Sequence, residues 1–254
     1  MKSNNTERID KLLVDLGLVS TRARAQAMIL AGHVLVNDVP ITKAGMMVAR
    51  DALIRLKEPE LKYVSRGALK LKAALEHFQI NVQNKLAIDI GASTGGFTEV
   101  LLENGAKQVQ TIDVGTNQLA WKLRSDPRVK VRENVNARYL EPKEFEERFD
   151  IMVMDVSFIS VRLILPALLP LMHKDSDWIV LYKPQFEVGR EWIEPGGIVK
   201  DQSVAKQTMQ ETIEWARSIQ LEAVSVMDSP IQGTDGNHEY LIHFRQFFVS
   251  SQTV

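Results

Sequence analysis

The 254-residue chain contains no cysteine. That excludes a disulfide framework and a thiolate zinc site, and it fits a reducing compartment. Long apolar runs are missing too: none approaches the roughly 20 residues that a membrane helix needs. The nearest candidate, "SVRLILPALLPLMHK", is interrupted by Arg162, Pro166 and Pro170 and reads as a core-facing helix. The opening "MKSNNTERIDKLL" has no apolar stretch resembling a secretory signal. Histidine is scarce: His33, His77, His173, His238 and His243 are scattered without ligand spacing, so no bound metal is expected. Internal repeats and low-complexity tracts are absent. What remains, 45% hydrophobic and 25% charged residues, is the composition of an ordinary soluble globular protein, expected in the cytoplasm.

The net charge of −1 hides an asymmetry. Residues 1–62 carry ten Lys and Arg against seven Asp and Glu, an excess of three bases, so the rest carries four more acids than bases. A basic small segment ahead of an acidic larger one suggests a polyanion-binding module, although a solvated face gives the same excess. In that segment "RIDKLLVDLGL" places Ile9, Leu12, Leu13 and Leu16 on one helical stripe that stops at Gly17. "VSTRARAQAMILAG" offers Ser20 or Thr21 as an N-cap, a helix to Leu30, and Gly32 as its stop. "HVLVNDVPIT" alternates and turns at Asn37-Asp38 like a hairpin, and "ALIRLK" is another short strand. Arg22 and Arg24 fall in the first turn of the second helix, where the macrodipole disfavours cations. Either a bound anion compensates them or they are simply exposed.

The run "RIDKLLVDLGLVSTRARAQAMILAGHVLVNDVPITKAGMMV" resembles the small RNA-binding domain named after small-subunit ribosomal protein four, the alpha-L motif. That resemblance implies a small α+β domain gripping structured RNA by backbone and shape. It makes Arg8, Arg22, Arg24, Lys43 and Arg50 candidate phosphate contacts.

"KEPELKYV", with Pro59, reads as a linker, which gives two domains, residues 1–60 and 61–254. Beyond it, "KLAIDI", "KQVQTIDV", "DIMVMDV", "DWIVLYK", "LEAVSVMDS" and "EYLIHF" are runs of strand length. They alternate with helix-like "GGFTEVLLEN", "TNQLAWKLR", "SVRLILPALLPLM" and "DQSVAKQTMQETIEWARSI". This order indicates an α/β fold, an open, mostly parallel sheet covered on both faces. The short "SPIQGTDGNH" loop predicts that the last two strands pair antiparallel.

The stretch "DIGASTGGFTEVLL" reads as strand end, glycine turn and helix start. Ser93 stands where a dinucleotide fingerprint needs its second glycine, and Gly96 is followed by Phe97 rather than by the Lys of a phosphate loop. Asp89 ahead of the turn would repel a pyrophosphate but attract an ammonium or a sulfonium. Asp113, at the end of the next strand, suits ribose hydroxyls. S-adenosylmethionine carries both cations and a ribose, and is the ligand expected; a plain structural turn is the alternative. Asp155 and Lys183 end strands at the edge that holds this turn, and Glu239 begins an antiparallel strand there. Lys70 lies on a helix whose apolar stripe, Ala68, Leu71, Leu75 and Phe78, leaves it off the core face, where it is either functional or ordinarily exposed.

Six segments, "SRGALKL", "DIGASTGGFT", "DVSFIS", "YKPQFEVG", "GGIVKD" and "SPIQGTDGNHEYL", together with the N-terminal run, resemble the TlyA, or haemolysin A-like, branch of FtsJ-type ribose methyltransferases. The resemblance spans essentially the whole chain. It implies a Rossmann-like methyltransferase domain with a mostly parallel seven-stranded sheet, S-adenosylmethionine as cofactor, and methylation of cytidine 2′-hydroxyls in ribosomal RNA within ribosomal subunits. It also implies a catalytic set of Lys70, Asp155, Lys183 and Glu239. The cofactor residues implied are Asp89, Gly91, Ser93, Gly95, Gly96, Phe97 and Asp113, with Asn136 at the adenine edge and Asn134 as its competitor. A free lysine near pKa ~10.4 is protonated at neutral pH; burial and a second lysine would lower that value while the acids oppose it. Phe158, Phe186 and Trp192 either stack on an extruded cytosine or pack in the core. The competing functions are a non-catalytic ribosome-assembly factor, a methyltransferase for a small molecule or protein, and a haemolysin. The last finds no membrane segment in the sequence.

Overall fold

The computed structural model describes residues 5–57, 62–233 and 235–247. The first four residues, half of the expected linker with the expected domain boundary, Thr234 and residues 248–254 lie outside the described residues. The chain divides into two compact units, Met1–Lys62 and Tyr63–Val254.

The first unit contains strand β1 (Thr6–Arg8), helices α1 (Ile9–Asp15) and α2 (Arg22–Leu30), and strands β2 (Val34–Val36), β3 (Val39–Ile41), β4 (Met47–Ala49) and β5 (Ile54–Leu56). Ile9, Leu12 and Leu13 of the first stripe are buried against Val19, Ala25, Ile29, Val34, Ile41 and Val48. Leu16 is exposed, because the helix has already ended at Asp15. Thr21 caps α2, its Oγ1 accepting the Arg24 N–H at 3.3 Å. Asn37 and Asp38 both take positive φ, as the tight hairpin between β2 and β3 requires. The β1–β4 pair, too short for a periodic signal, is not legible in the sequence.

The second unit runs α3 (Gly67–Phe78), β6 (Leu86–Ile90), α4 (Gly96–Glu103), β7 (Gln108–Ile112), α5 (Trp121–Arg124), β8 (Val129–Arg132), β9 (Phe149–Met154), α6 (Leu165–Leu168), β10 (Met172–Tyr182), α7 (Gln202–Ser218), β11 (Leu221–Asp228) and β12 (Tyr240–Gln246). The seven strands lie in the order β11-β12-β10-β9-β6-β7-β8. Strands β10, β9, β6, β7 and β8 are parallel; β12 is antiparallel to both β10 and β11. The central runs "LAIDI" and "IMVM" are buried on both faces, which explains why they read as continuous apolar stretches. β11, at one edge, alternates exposed residues with buried or partly buried ones instead.

Two expected helices are shorter than their sequences suggest. In "TNQLAWKLR" only Trp121–Arg124 is helical, because Glu133 holds the preceding backbone open by accepting the N–H groups of Asn117 and Gln118. "SVRLILPALLPLM" breaks into α6 flanked by two short 3-10 turns, since Pro166 and Pro170 each admit only a helical start. The chain leaves β6 toward β7 on one side and β9 toward β10 on the other. The crevice between the carboxyl ends of β6 and β9 is therefore the topological switch point, where open α/β sheets bind ligands.

Candidate active site

A cleft of about 530 Å³ opens at this switch point. Its floor is the turn after β6. Gly91 has φ +81, and a Cβ there would fall 2.3 Å from the Asp155 carbonyl oxygen. Glycine thus lets the ends of β6 and β9 close together as well as exposing backbone to a ligand. Gly91, Ser93, Gly96 and Phe97 line the cleft; Gly95 does not, and packs beside Leu119 and Leu123.

Asp89 differs from expectation. It is fully buried beneath the turn and is not part of the cleft lining, because α4 brings Thr98 onto it. Thr98 Oγ1 donates to Asp89 Oδ2 at 2.6 Å, while Oδ1 is enclosed with no hydrogen-bond partner. Burial, reinforced by the charges of Asp155 and Asp113 and opposed by Thr98, pushes the Asp89 carboxyl up to about 7. Asp113 buttresses the turn: its Oδ2 accepts the Ser93 N–H and its Oδ1 the Gly115 N–H, both at 2.7 Å. Asn136 is exposed, outside the lining, and its Oδ1 accepts the Arg138 N–H. Asn134, also exposed, takes φ +57.

Lys70, Asp155, Lys183 and Glu239 all line the same cleft. Asp155 and Lys183 follow the neighbouring parallel strands β9 and β10, so they emerge together. Lys183 Nζ lies 2.5 Å from Asp155 Oδ1 and donates to Ser157 Oγ at 3.0 Å. β12 pairs with β10 so that Tyr240 faces Tyr182, which places Glu239 beside the end of β10. Glu239 forms an ion pair with Lys70. The reading of Lys70 as an ordinary exposed lysine fails: it is off the apolar stripe yet only 7% exposed. The pair with Glu239 is what makes that burial tolerable. The start of α3 faces the other couple, since a Cβ on Gly67 would sit 3.7 Å from Asp155 Oδ2.

Sequence reasoning missed Ser157 and Thr98, small hydroxyl residues whose only signal is proximity to Asp155 and Asp89. It also missed Glu187, which accepts from Ser160 Oγ at 2.6 Å and from the Val161 N–H at 2.8 Å. Glu187 thereby ties the loop after β9 to the loop after β10, and burial pushes its carboxyl up. Core packing is excluded for Phe158, which is 90% exposed with φ +64. Its ring lies 5.1 Å from that of Phe186, and both line the cleft. Trp192 is exposed and not part of the lining.

The candidate RNA contacts lie in the first unit. Arg8, Arg22, Lys43 and Arg50 are exposed and Arg24 is half-buried. The charge that offsets Arg22 at the start of α2 is Asp10, 3.0 Å from its Nε. Arg50 pairs with Glu7 at 2.7 Å.

Comparison with known proteins agrees with both units. Residues 63–246 match the FtsJ-like methyltransferase model and residues 7–54 match the S4 domain model. A 16S/23S rRNA (cytidine-2′-O)-methyltransferase, TlyA, of Mycobacterium tuberculosis is 44% identical, covering 94% of this chain and 89% of that protein. Hemolysin A of Brachyspira hyodysenteriae is 40% identical, covering 93% and 99%. A solved structure from Streptococcus thermophilus, carried under a haemolysin name, superposes with a TM-score of 0.74 at 43% identity, covering 96% of this chain and 90% of that one. No helix among the described residues is long and apolar enough to cross a membrane.

Proposed function

The chain belongs to the FtsJ-like methyltransferase family, and from that premise we propose that it methylates the 2′-hydroxyl of a cytidine in ribosomal RNA within ribosomal subunits in the cytoplasm. One observation carries the reading. Two ammonium–carboxylate couples, Lys183 with Asp155 and Lys70 with Glu239, open onto one cleft together with the glycine turn.

S-adenosylmethionine supplies an electrophilic methyl group when bound. The turn suits such a donor. Exposed backbone floors the cleft, the positive end of α4, which begins at Gly96, would favour the carboxylate that such a donor carries, and an unpartnered carboxyl oxygen of Asp89 lies beneath. Gly91, Ser93, Gly96 and Phe97 would hold it, with Gly95 and Asp113 shaping the turn, and Asn136 toward the adenine. Asp89 acts through Thr98, in the first turn of α4, rather than by direct contact.

A ribose hydroxyl is a poor nucleophile, so transfer demands alignment and removal of its proton. Lys183 relays that proton, Nζ passing one of its own to Asp155 as it takes up the hydroxyl's, and Ser157 fixes the direction of Nζ. Lys70 donates to the attacking oxygen and holds it in line, and Glu239 fixes Lys70. Phe158 and Phe186 offer an aromatic face to the extruded base. Arg8, Arg22, Arg24, Lys43 and Arg50 of the S4 domain contact RNA phosphates. The mildly basic first unit and the acidic second suit that division of labour.

Incubation with methyl-labelled S-adenosylmethionine and unmodified ribosomal subunits tests the reading. Label in a cytidine whose 3′ bond resists alkaline cleavage is the expected result. Label on a base or on protein would overturn it.

A further inference from the structure

The structure assigns Asp10 as the positioning residue of the RNA-binding face: its buried carboxylate holds Arg8 and Arg22 side by side as a preformed two-guanidinium clamp for a backbone phosphate. The inference rests on the reading of the first unit as RNA-binding.

Asp10 sits at the start of α1 and is fully buried, an unusual place for a carboxylate. Arg8 approaches it in bidentate fashion, Nε to Oδ1 and Nη2 to Oδ2, both at 3.0 Å. Arg22 Nε reaches the same Oδ2 at 3.0 Å, and Gln26 Nε2 reaches it at 2.9 Å. Nη2 of Arg8 and Nε of Arg22 each lie 3.0 Å from one oxygen, so they are at most 6.0 Å apart. The hydrogen bonds from Arg8 and the other donors hold the Asp10 carboxyl far below its ordinary range.

The stoichiometry points outward. One carboxylate neutralises one of the two guanidiniums, leaving one unbalanced positive charge at the surface. The bonds to Asp10 occupy two of Arg8's five N–H groups and one of Arg22's. Both side chains are about half exposed, at 44% and 54%. A tetrahedral phosphate offers several acceptor oxygens to such a pair of planar forks. Two like charges would otherwise drift apart, and each arginine would lose rotamer freedom on binding; Asp10 has already removed that freedom.

The test sets charge against geometry. Asp10→Asn in the full-length protein raises the net positive charge of this face by one. Electrostatics alone predicts tighter binding to fluorescently labelled ribosomal RNA. The clamp predicts binding weaker by roughly tenfold, with KM for subunits raised by a like factor and kcat and S-adenosylmethionine affinity unchanged. Asp10→Glu, which keeps the carboxylate, should recover part of the loss. Unchanged or tighter binding by Asp10→Asn overturns the proposal. If that variant loses the fold of the first unit, Arg22→Lys decides, because it keeps the charge but not the fork: weaker binding supports the clamp and undiminished binding contradicts it. The double variant Arg8→Ala/Arg22→Ala isolates the underlying reading. If it binds RNA as well as the parent, the first unit is not the RNA-binding face.

Discussion

Asp89 concentrates the site's electrostatics in one residue. The sequence makes it a conspicuous acid before a glycine turn and suggests direct contact with a cation. Thr98 and the strand end bury it instead, because a residue's depth depends on the helix that follows and not on its own neighbours. With its carboxyl raised to about 7, the folded protein keeps a proton that the unfolded chain releases near pH ~4. Its stabilising contribution is therefore complete below about pH 4 and is lost as pH rises through 7. Asp89→Asn abolishes that slope. Between pH 5 and 8, without cofactor, the variant should gain on the order of 3 kcal/mol relative to the parent in urea denaturation; a difference that stays flat with pH would contradict the assignment. Lys70 teaches a similar lesson: helical periodicity places it off the core face, and only Glu239, 169 residues away in sequence, explains its burial. Gly233 leaves room for that carboxylate, since a Cβ there would lie 2.6 Å from Glu239 Oε1. Gly233→Ala should lower kcat by roughly tenfold to a hundredfold with little change in melting temperature or cofactor affinity. Full activity would show that the position of Glu239 is unimportant.

At the scale of elements, strongly apolar strands were legible and weakly patterned ones were not. β6, β9 and β10 announce themselves by burial on both faces. β8 has only Val129 and Val131, alternating with Lys130 and Arg132, and is defined by its parallel pairing with β7. The antiparallel return of β12 followed from the short loop before it, and that return brings Glu239 to the site. At the opposite end of the sheet Asp177 joins three elements. Its Oδ2 accepts from Lys85 at 2.9 Å, and its Oδ1 lies 3.0 Å from both His243 Nε2 and Arg245 Nε. Burial raises this carboxyl, but His243, Lys85 and Arg245 together outweigh it and hold it well below the ordinary value. Its contribution is present above pH ~4 and lost as pH falls below that, the reverse of Asp89. Asp177→Ala should cost about 3 kcal/mol of stability near neutral pH, with methyl transfer by the folded fraction unchanged. A loss of transfer at full stability would mean that the two ends of the sheet are functionally coupled.

For the molecule as a whole, the order of strands and helices was enough to bring the glycine turn, Asp155, Lys183 and Glu239 to one edge of the sheet, and the charge asymmetry separated a basic small unit from an acidic larger one. Neither pattern could show which cation pairs with which anion, because ion pairing depends on side chains far apart in sequence. The pairing is the central claim: Lys183 with Asp155 to take a proton, Lys70 with Glu239 to hold the oxygen. The most direct measurement compares Lys183→Ala with the parent under single-turnover conditions on unmodified ribosomal subunits, alongside calorimetry with S-adenosylmethionine. The account predicts methyl transfer reduced by at least about a hundredfold with cofactor affinity nearly unchanged; transfer at the parent's rate would contradict it.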